Sequence, residues 1–374
     1  MRRLAFTAVA AVALLAGCTA PVAPALPVAP GAPTPTASPS SGAMRPVGTP
    51  TLLASGLEAP WSILRLGDGD STLISERDSG AIKELTPDGT LRQAGSVEGV
   101  AASGEGGLLG LEKLTVGEIT YVYAYFTSDS DNRVVRMRLE GEAGSYSFGA
   151  AELILGGLAK AGNHDGGRIK FGPDGMLYAT VGDAAQPDRA QDPDSLNGKI
   201  LRMTPTGEVP DDNPAAGSLV YSSGHRNPQG IAWNDEGQLF AAEFGQNSWD
   251  EFNLISAGLN YGWPVVEGVG GRTGFVDPLA QWSTSEASPS GLAYVRGTFF
   301  MASLRGERLW AIQSGGTGVP AASTAYFAGE FGRLRDVTAG PDGTLWMLTN
   351  NTDGRGDPEQ GDDRLLQVEL APVD

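Results

Sequence analysis

The chain of 374 residues has one cysteine, two histidines and only 26 basic residues against 44 acidic ones. Each shortage excludes something. One Cys cannot close an intramolecular disulfide, so stability must come from packing. A net charge of −18 leaves no basic footprint for nucleic acid. Excess acid favours solubility and neutral or cationic partners. Beyond residues 4–15 there is no apolar run that approaches bilayer-spanning length. Amphipathic stretches of helical length are missing from the folded part as well. Hydrophobic residues still make up 41% of the chain and aromatics 7%, enough for a core and too much for global disorder.

The lone Cys18 sits in an informative place. Met1-Arg2-Arg3 is followed by an apolar run from Leu4 to Leu15 and then by Ala16-Gly17. That is a basic region, a short apolar region and small residues before a cut. The tetrad Leu15-Ala16-Gly17-Cys18 resembles the bacterial lipobox, in which the Cys is acylated after cleavage. A signal peptide with an incidental Cys is the alternative. The lipobox implies an exported lipoprotein facing the extracytoplasmic side, held to the membrane by its lipid alone. Removal of residues 1–17 takes away Arg2 and Arg3 and so lowers the charge of −18 by two. Residues 18–48 are dominated by Pro, Ala, Ser, Thr and Val and read as an extended tether. The folded domain is expected over residues 49–374.

What is abundant is glycine, 53 residues, with 25 prolines. Both weaken helix interiors and suit tight turns. One phrase recurs: an apolar pair, a turn with Asp-Gly or a relative, then an apolar strand. Its turn glycines are Gly69, Gly117, Gly175, Gly237, Gly297 and Gly343, spaced by 46 to 62 residues. Gly at such a turn accepts positive φ without steric cost, which makes the phrase a hairpin signal. Six hairpins at this period predict an all-β fold, a six-bladed β-propeller of four-stranded antiparallel blades. A long β-sandwich or a β-helix is the rival.

Function in such a fold belongs to loops near the axis. Both histidines lie in polar, Gly-rich loops, Gly162-Asn163-His164-Asp165-Gly166-Gly167-Arg168 and Gly224-His225-Arg226-Asn227-Pro228-Gln229-Gly230. Other loops read Gly104-Glu105-Gly106-Gly107, Glu243-Phe244-Gly245-Gln246, Asp250-Glu251-Phe252-Asn253 and Asn260-Tyr261-Gly262-Trp263-Pro264. Ser303-Leu304-Arg305-Gly306 and Gly332-Arg333-Leu334-Arg335-Asp336 follow near the end. In this order the motifs resemble the soluble glucose and aldose sugar dehydrogenases that use pyrroloquinoline quinone, over residues 52 to 371.

The resemblance implies an oxidoreductase that oxidises the anomeric or an alcohol carbon of an aldose, with hydride transfer to the quinone and electrons passed to an acceptor it does not name. His164 would be the general base, a role suited to imidazole. Glu105, Arg226, Asn227, Arg305, Arg333 and Arg335 would surround the quinone, whose carboxyl groups suit guanidinium forks. Calcium would rest on backbone carbonyls of Gly245 and Gln246, and a second ion on the Glu251 side chain and the Tyr261 carbonyl. His225 reads as structural. The chain departs from the family at three of these places. Glu105 stands where members often have Gln, and Phe244 and Gln246 replace His and Pro. An extra carboxylate beside an anionic ligand needs a proton or a partner. A non-catalytic propeller that binds glycan or protein stays open as the alternative. A calcium-dependent lactonase would need metal-bound carboxylates on the axis, and no matching set is visible.

Overall fold

The structure is a computed structural model that describes residues 42–315 and 319–373. Cys18, the expected signal peptide and most of the expected tether lie outside the described residues. Residues 41–374 form one compact unit. Its six antiparallel sheets comprise residues 60–96, 108–158, 169–223, 228–283 and 289–326, and a sixth that combines 334–372 with Met44–Ala54. Five sheets have four strands, and the 108–158 sheet adds a two-residue strand, Ser147–Phe148. Within each of the first five sheets the strands run up and down in chain order, and the first strands of successive sheets touch one another in a closed cycle. This is the expected six-bladed propeller. The first strand of each blade lines the axis, and the outermost is the most exposed: Pro228–Trp233 is almost wholly buried, whereas Ala322–Tyr326 is mostly exposed.

All six turn glycines sit in the hairpin between the first and second strands of a blade, each at positive φ between 62° and 86°. The gaps between blades are filled by apolar side chains from facing sheets. Phe240 of the fourth blade meets Phe299 of the fifth at 4.4 Å between ring centroids. Burying one such ring contributes about 1.5–3 kcal/mol.

One boundary differs from the expectation. The first strand begins at Met44, so residues 44–48 belong to the sixth blade rather than to the tether. Met44 is 1% exposed and packs with Leu345, Met347 and Val368. Met44–Ala54 pairs antiparallel with Leu365–Pro372, from Met44 opposite Pro372 to Ala54 opposite Leu365. Pairing with the C-terminal strand supplies the hydrogen bonds that the Pro-rich composition does not advertise.

In an up-and-down blade, the loop entering the first strand and the loop leaving the second lie at the same end. The six hairpin glycines therefore mark one face of the ring, and the motif loops gather on the other.

Candidate active site

His164 enters the third blade in left-handed backbone, at φ 63°. Such a conformation costs energy in a residue other than Gly and persists only where its surroundings enforce it. Here they do. The His164 N–H donates to Glu105 Oε2 at 2.9 Å. Gly182 passes so close that a Cβ there would stand 2.0 Å from the His164 carbonyl oxygen. The ring Nδ1 lies 2.7 Å from Asp183 Oδ1. Asp183 is fully buried, and it also accepts the Trp263 indole N–H at 2.8 Å and the Ala185 N–H at 2.8 Å. With Asp183 accepting, Nδ1 carries the proton and Nε2 presents its lone pair. Nε2 has Asn163 Nδ2 at 3.2 Å.

At the same end, a cavity of about 340 Å³ is lined by Glu105, Gln229, Phe244, Ser288, Leu304, Arg305, Arg333, Arg335 and Arg355. Arg333 directly precedes the innermost strand of the sixth blade, Arg335 is its second residue, and Arg305 follows the second strand of the fifth. Arg333 Nη2 lies 3.1 Å from Asp353 Oδ2 and Arg335 Nη2 lies 3.7 Å from the same oxygen. Arg335 Nη1 donates to Gln229 Oε1 at 2.9 Å. Burial pulls the Arg335 guanidinium down to about 9, against the opposing pull of Asp353. The buried Nε atoms of Arg226, Arg333 and Arg335 have no hydrogen-bond partner among the described residues. Such donors favour an anionic occupant.

Arg226 and Asn227 sit beside this cavity rather than in its wall. The Asn227 Oδ1 accepts the Gly166 N–H at 3.0 Å, and its Nδ2 approaches Glu105 Oε2 at 3.4 Å. Arg226 lines a second space of about 10 Å³, with Glu243, Gly245, Glu251, Tyr261 and Glu267 among its neighbours. Phe244 is common to both walls. Burial, and next the charge of Glu243, push the Glu251 carboxyl up to about 8. Its Oε1 accepts the Gly268 N–H at 2.7 Å and its Oε2 the Asn253 amide at 3.0 Å. Among the described residues, no group of three or more His, Cys, Asp or Glu side chains is arranged to hold a metal ion. The His225 ring lies between Glu243 Oε2 and Ser222 Oγ, each at 2.8 Å, side-chain partners rather than loop backbone, and it stacks on Tyr261.

A family model, glucose / sorbosone dehydrogenase, matches residues 57–363.

The chain belongs to this family.

It is similar to the aldose sugar dehydrogenase of Streptomyces coelicolor, solved with pyrroloquinoline quinone bound, at 50% identity and TM-score 0.83 over 90% of this chain and 100% of that one. It is 29% identical to aldose sugar dehydrogenase YliI of Escherichia coli, over 81% of this chain and 90% of the relative. With quinoprotein glucose dehydrogenase B of Acinetobacter calcoaceticus it shares 28% identity over 77% of this chain and 67% of the relative.

Against that family background, the departures acquire structural answers. Gln246, in place of Pro, has an N–H, and it donates to Glu267 Oε1 at 2.7 Å. The N–H groups of Asn247, Ser248 and Trp249 reach the same oxygen, each at 3.2 Å. Glu267 thus fixes a loop that lacks Pro. Across a trans peptide a carbonyl is antiparallel to the following N–H, so the Gly245 and Gln246 carbonyls point away from Glu267. The Glu105 carboxylate has a partner in Arg355, at 3.2 Å.

Several residues of the site escape sequence reasoning: Asp183, Glu267, Asp353 and Arg355. Asp183 had one signal, a Gly-Asp pair directly after the apolar strand Leu177–Val181, in the same class of loop as the other site residues.

Proposed function

We propose that this protein is an exported, lipid-anchored sugar dehydrogenase that oxidises aldoses with pyrroloquinoline quinone and calcium. The observation that carries the reading is the Arg-lined cavity at the same end of the axis as the buried Asp183–His164 pair. The relatives' names agree with it. The residues fit the quinone: its three carboxyl groups need cations, Arg305, Arg333 and Arg335 line the cavity, and the buried Nε donors of Arg333 and Arg335 are free to meet an acceptor. Hydride acceptance is the chemistry the quinone supplies when bound, and calcium adds Lewis-acid polarisation.

The chain's own residues do the rest. His164 Nε2 takes the proton of the sugar hydroxyl. Asp183 holds the imidazole in the tautomer that can do so and stabilises the imidazolium that forms. Trp263 fixes Asp183 in turn. Arg305, Arg333 and Arg335 bind and orient the anionic ligand, and Glu105 braces the backbone of the base.

Dye reduction tests the reading. Purified protein, an artificial acceptor and aldoses should give colour only when quinone and calcium are both added. A protein that stays inert with both would instead be a binding propeller.

One calcium would rest on the carbonyls of Gly245 and Gln246 and a second on the Glu251 side chain and the Tyr261 carbonyl, hard oxygen donors of the kind this ion takes. A cation would let the buried Glu251 ionise. A bound ion stabilises the folded state by about 2.7 kcal/mol at a hundredfold excess over Kd. Chelation is therefore expected to lower the melting temperature of wild type, and that of Glu251→Gln much less. An unmoved wild type would remove calcium from the account.

Anchoring rests on the Leu15-to-Cys18 tetrad and the Pro-rich stretch after it. Cys18→Ser should release the domain to the soluble fraction or leave the precursor uncleaved. Normal processing with membrane retention would refute acylation.

A further inference from the structure

Glu105 is an anion in a wall of cations. Its Oε2 holds the His164 N–H at 2.9 Å, and its Oε1 lies 3.2 Å from Arg355 Nη1. The carboxylate braces the strained backbone of the base, and the same charge faces a cavity built for an anion. Arg355 comes from the segment that follows the strand Leu345–Thr349. That segment also supplies Asp353, whose Oδ1 accepts the Arg355 N–H at 2.9 Å and whose Oδ2 faces Arg333 and Arg335. The base of the arm is fixed. A Cβ at the next residue, Gly356, would lie 2.7 Å from the Asn351 carbonyl oxygen and 2.9 Å from Arg333 Cδ. The head of the arm stays at the rim, with its side chain 45% exposed. One short segment thus sets a carboxylate against the inner guanidiniums and a guanidinium against the outer carboxylate.

We propose that Arg355 is a specificity-determining residue of the cavity, which neutralises Glu105 so that Glu105 can hold His164 without repelling an anionic quinone. This rests on the quinone reading above. It assigns to Arg355 a role that depends on Glu105, rather than that of one more cation for the ligand. Without Glu105, Arg355 should be dispensable. Without Arg355, Glu105 should be harmful.

The test is calorimetric titration of pyrroloquinoline quinone into calcium-loaded protein, which reads binding and needs no turnover. Arg355→Gln should raise Kd about tenfold or more, the loss expected from one uncompensated charge in a partly buried site. Glu105→Gln keeps an oxygen to accept the His164 N–H and should bind at least as tightly as wild type. The double variant Glu105→Gln/Arg355→Gln should return to within about threefold of wild type, because the repelling charge has gone with its partner. Arg355→Lys, which keeps the charge, should stay close to wild type and guards against a Gln variant that fails to fold. Wild-type affinity in Arg355→Gln overturns the inference alone. So does a loss of equal size in the Glu105→Gln background, which would make Arg355 a plain ligand contact. A wild type that binds no quinone overturns the quinone reading and this inference with it.

Discussion

Replacing His164 with Gln should lower turnover by roughly 10²–10⁴, the usual contribution of a positioned base, and leave the fold and quinone affinity close to wild type. The geometry separates these effects. The brace from Glu105 acts on the backbone N–H of residue 164, which Gln retains. The ring alone meets Asp183. Steady-state kinetics at saturating quinone and sugar measure this. Near wild-type turnover in His164→Gln would assign the proton to another group.

Arg335→Ala should fail in a different way. Arg335 is 3% exposed and bonds Gln229, Ser290 and Asn350. Its removal takes a desolvated cation from the cavity and should weaken quinone binding by a factor on the order of a hundred, the usual scale for losing a buried charged contact. Turnover at saturating quinone should suffer far less, because the base is untouched. Asp353 keeps Arg333 as a partner, so the fold should survive. Titration of the quinone gives the affinity and kinetics at saturation give the turnover. An unchanged Kd would move the anion away from Arg335.

The sequence reveals the ring and half of the site, for a physical reason. Hairpins announce themselves locally, since Asp-Gly turns are set by neighbouring residues, and all six were legible. The outer strands were not. Ala322–Tyr326 and Met44–Ala54 carry weak patterns and owe their place to the strand beside them. The same division runs through the site. His164 and the arginines lie in recognisable short motifs at the ends of the inner strands. Asp183, 19 residues from His164, becomes its partner once the two inner strands of the third blade pair, and Arg355, 250 residues from Glu105, only once the ring has closed. Glu105 and Gln246 looked like defects in a familiar pattern because their compensations, Arg355 and Glu267, lie elsewhere in the chain.

The pairing of Met44–Ala54 with Leu365–Pro372 has a consequence for the route by which the chain reaches this state. The partners stand at opposite ends of the described domain, so the outer pairing of the sixth blade must wait for both ends of the chain. Loop-closure entropy rises only slowly with length, but contacts this distant come late in folding. A circular permutant that joins Pro372 to Met44 through a short linker would turn the longest-range pairing into an ordinary hairpin, and would pass the late step to whichever blade was cut. The native structure would then be indifferent to where the chain begins, while the rate of reaching it would not.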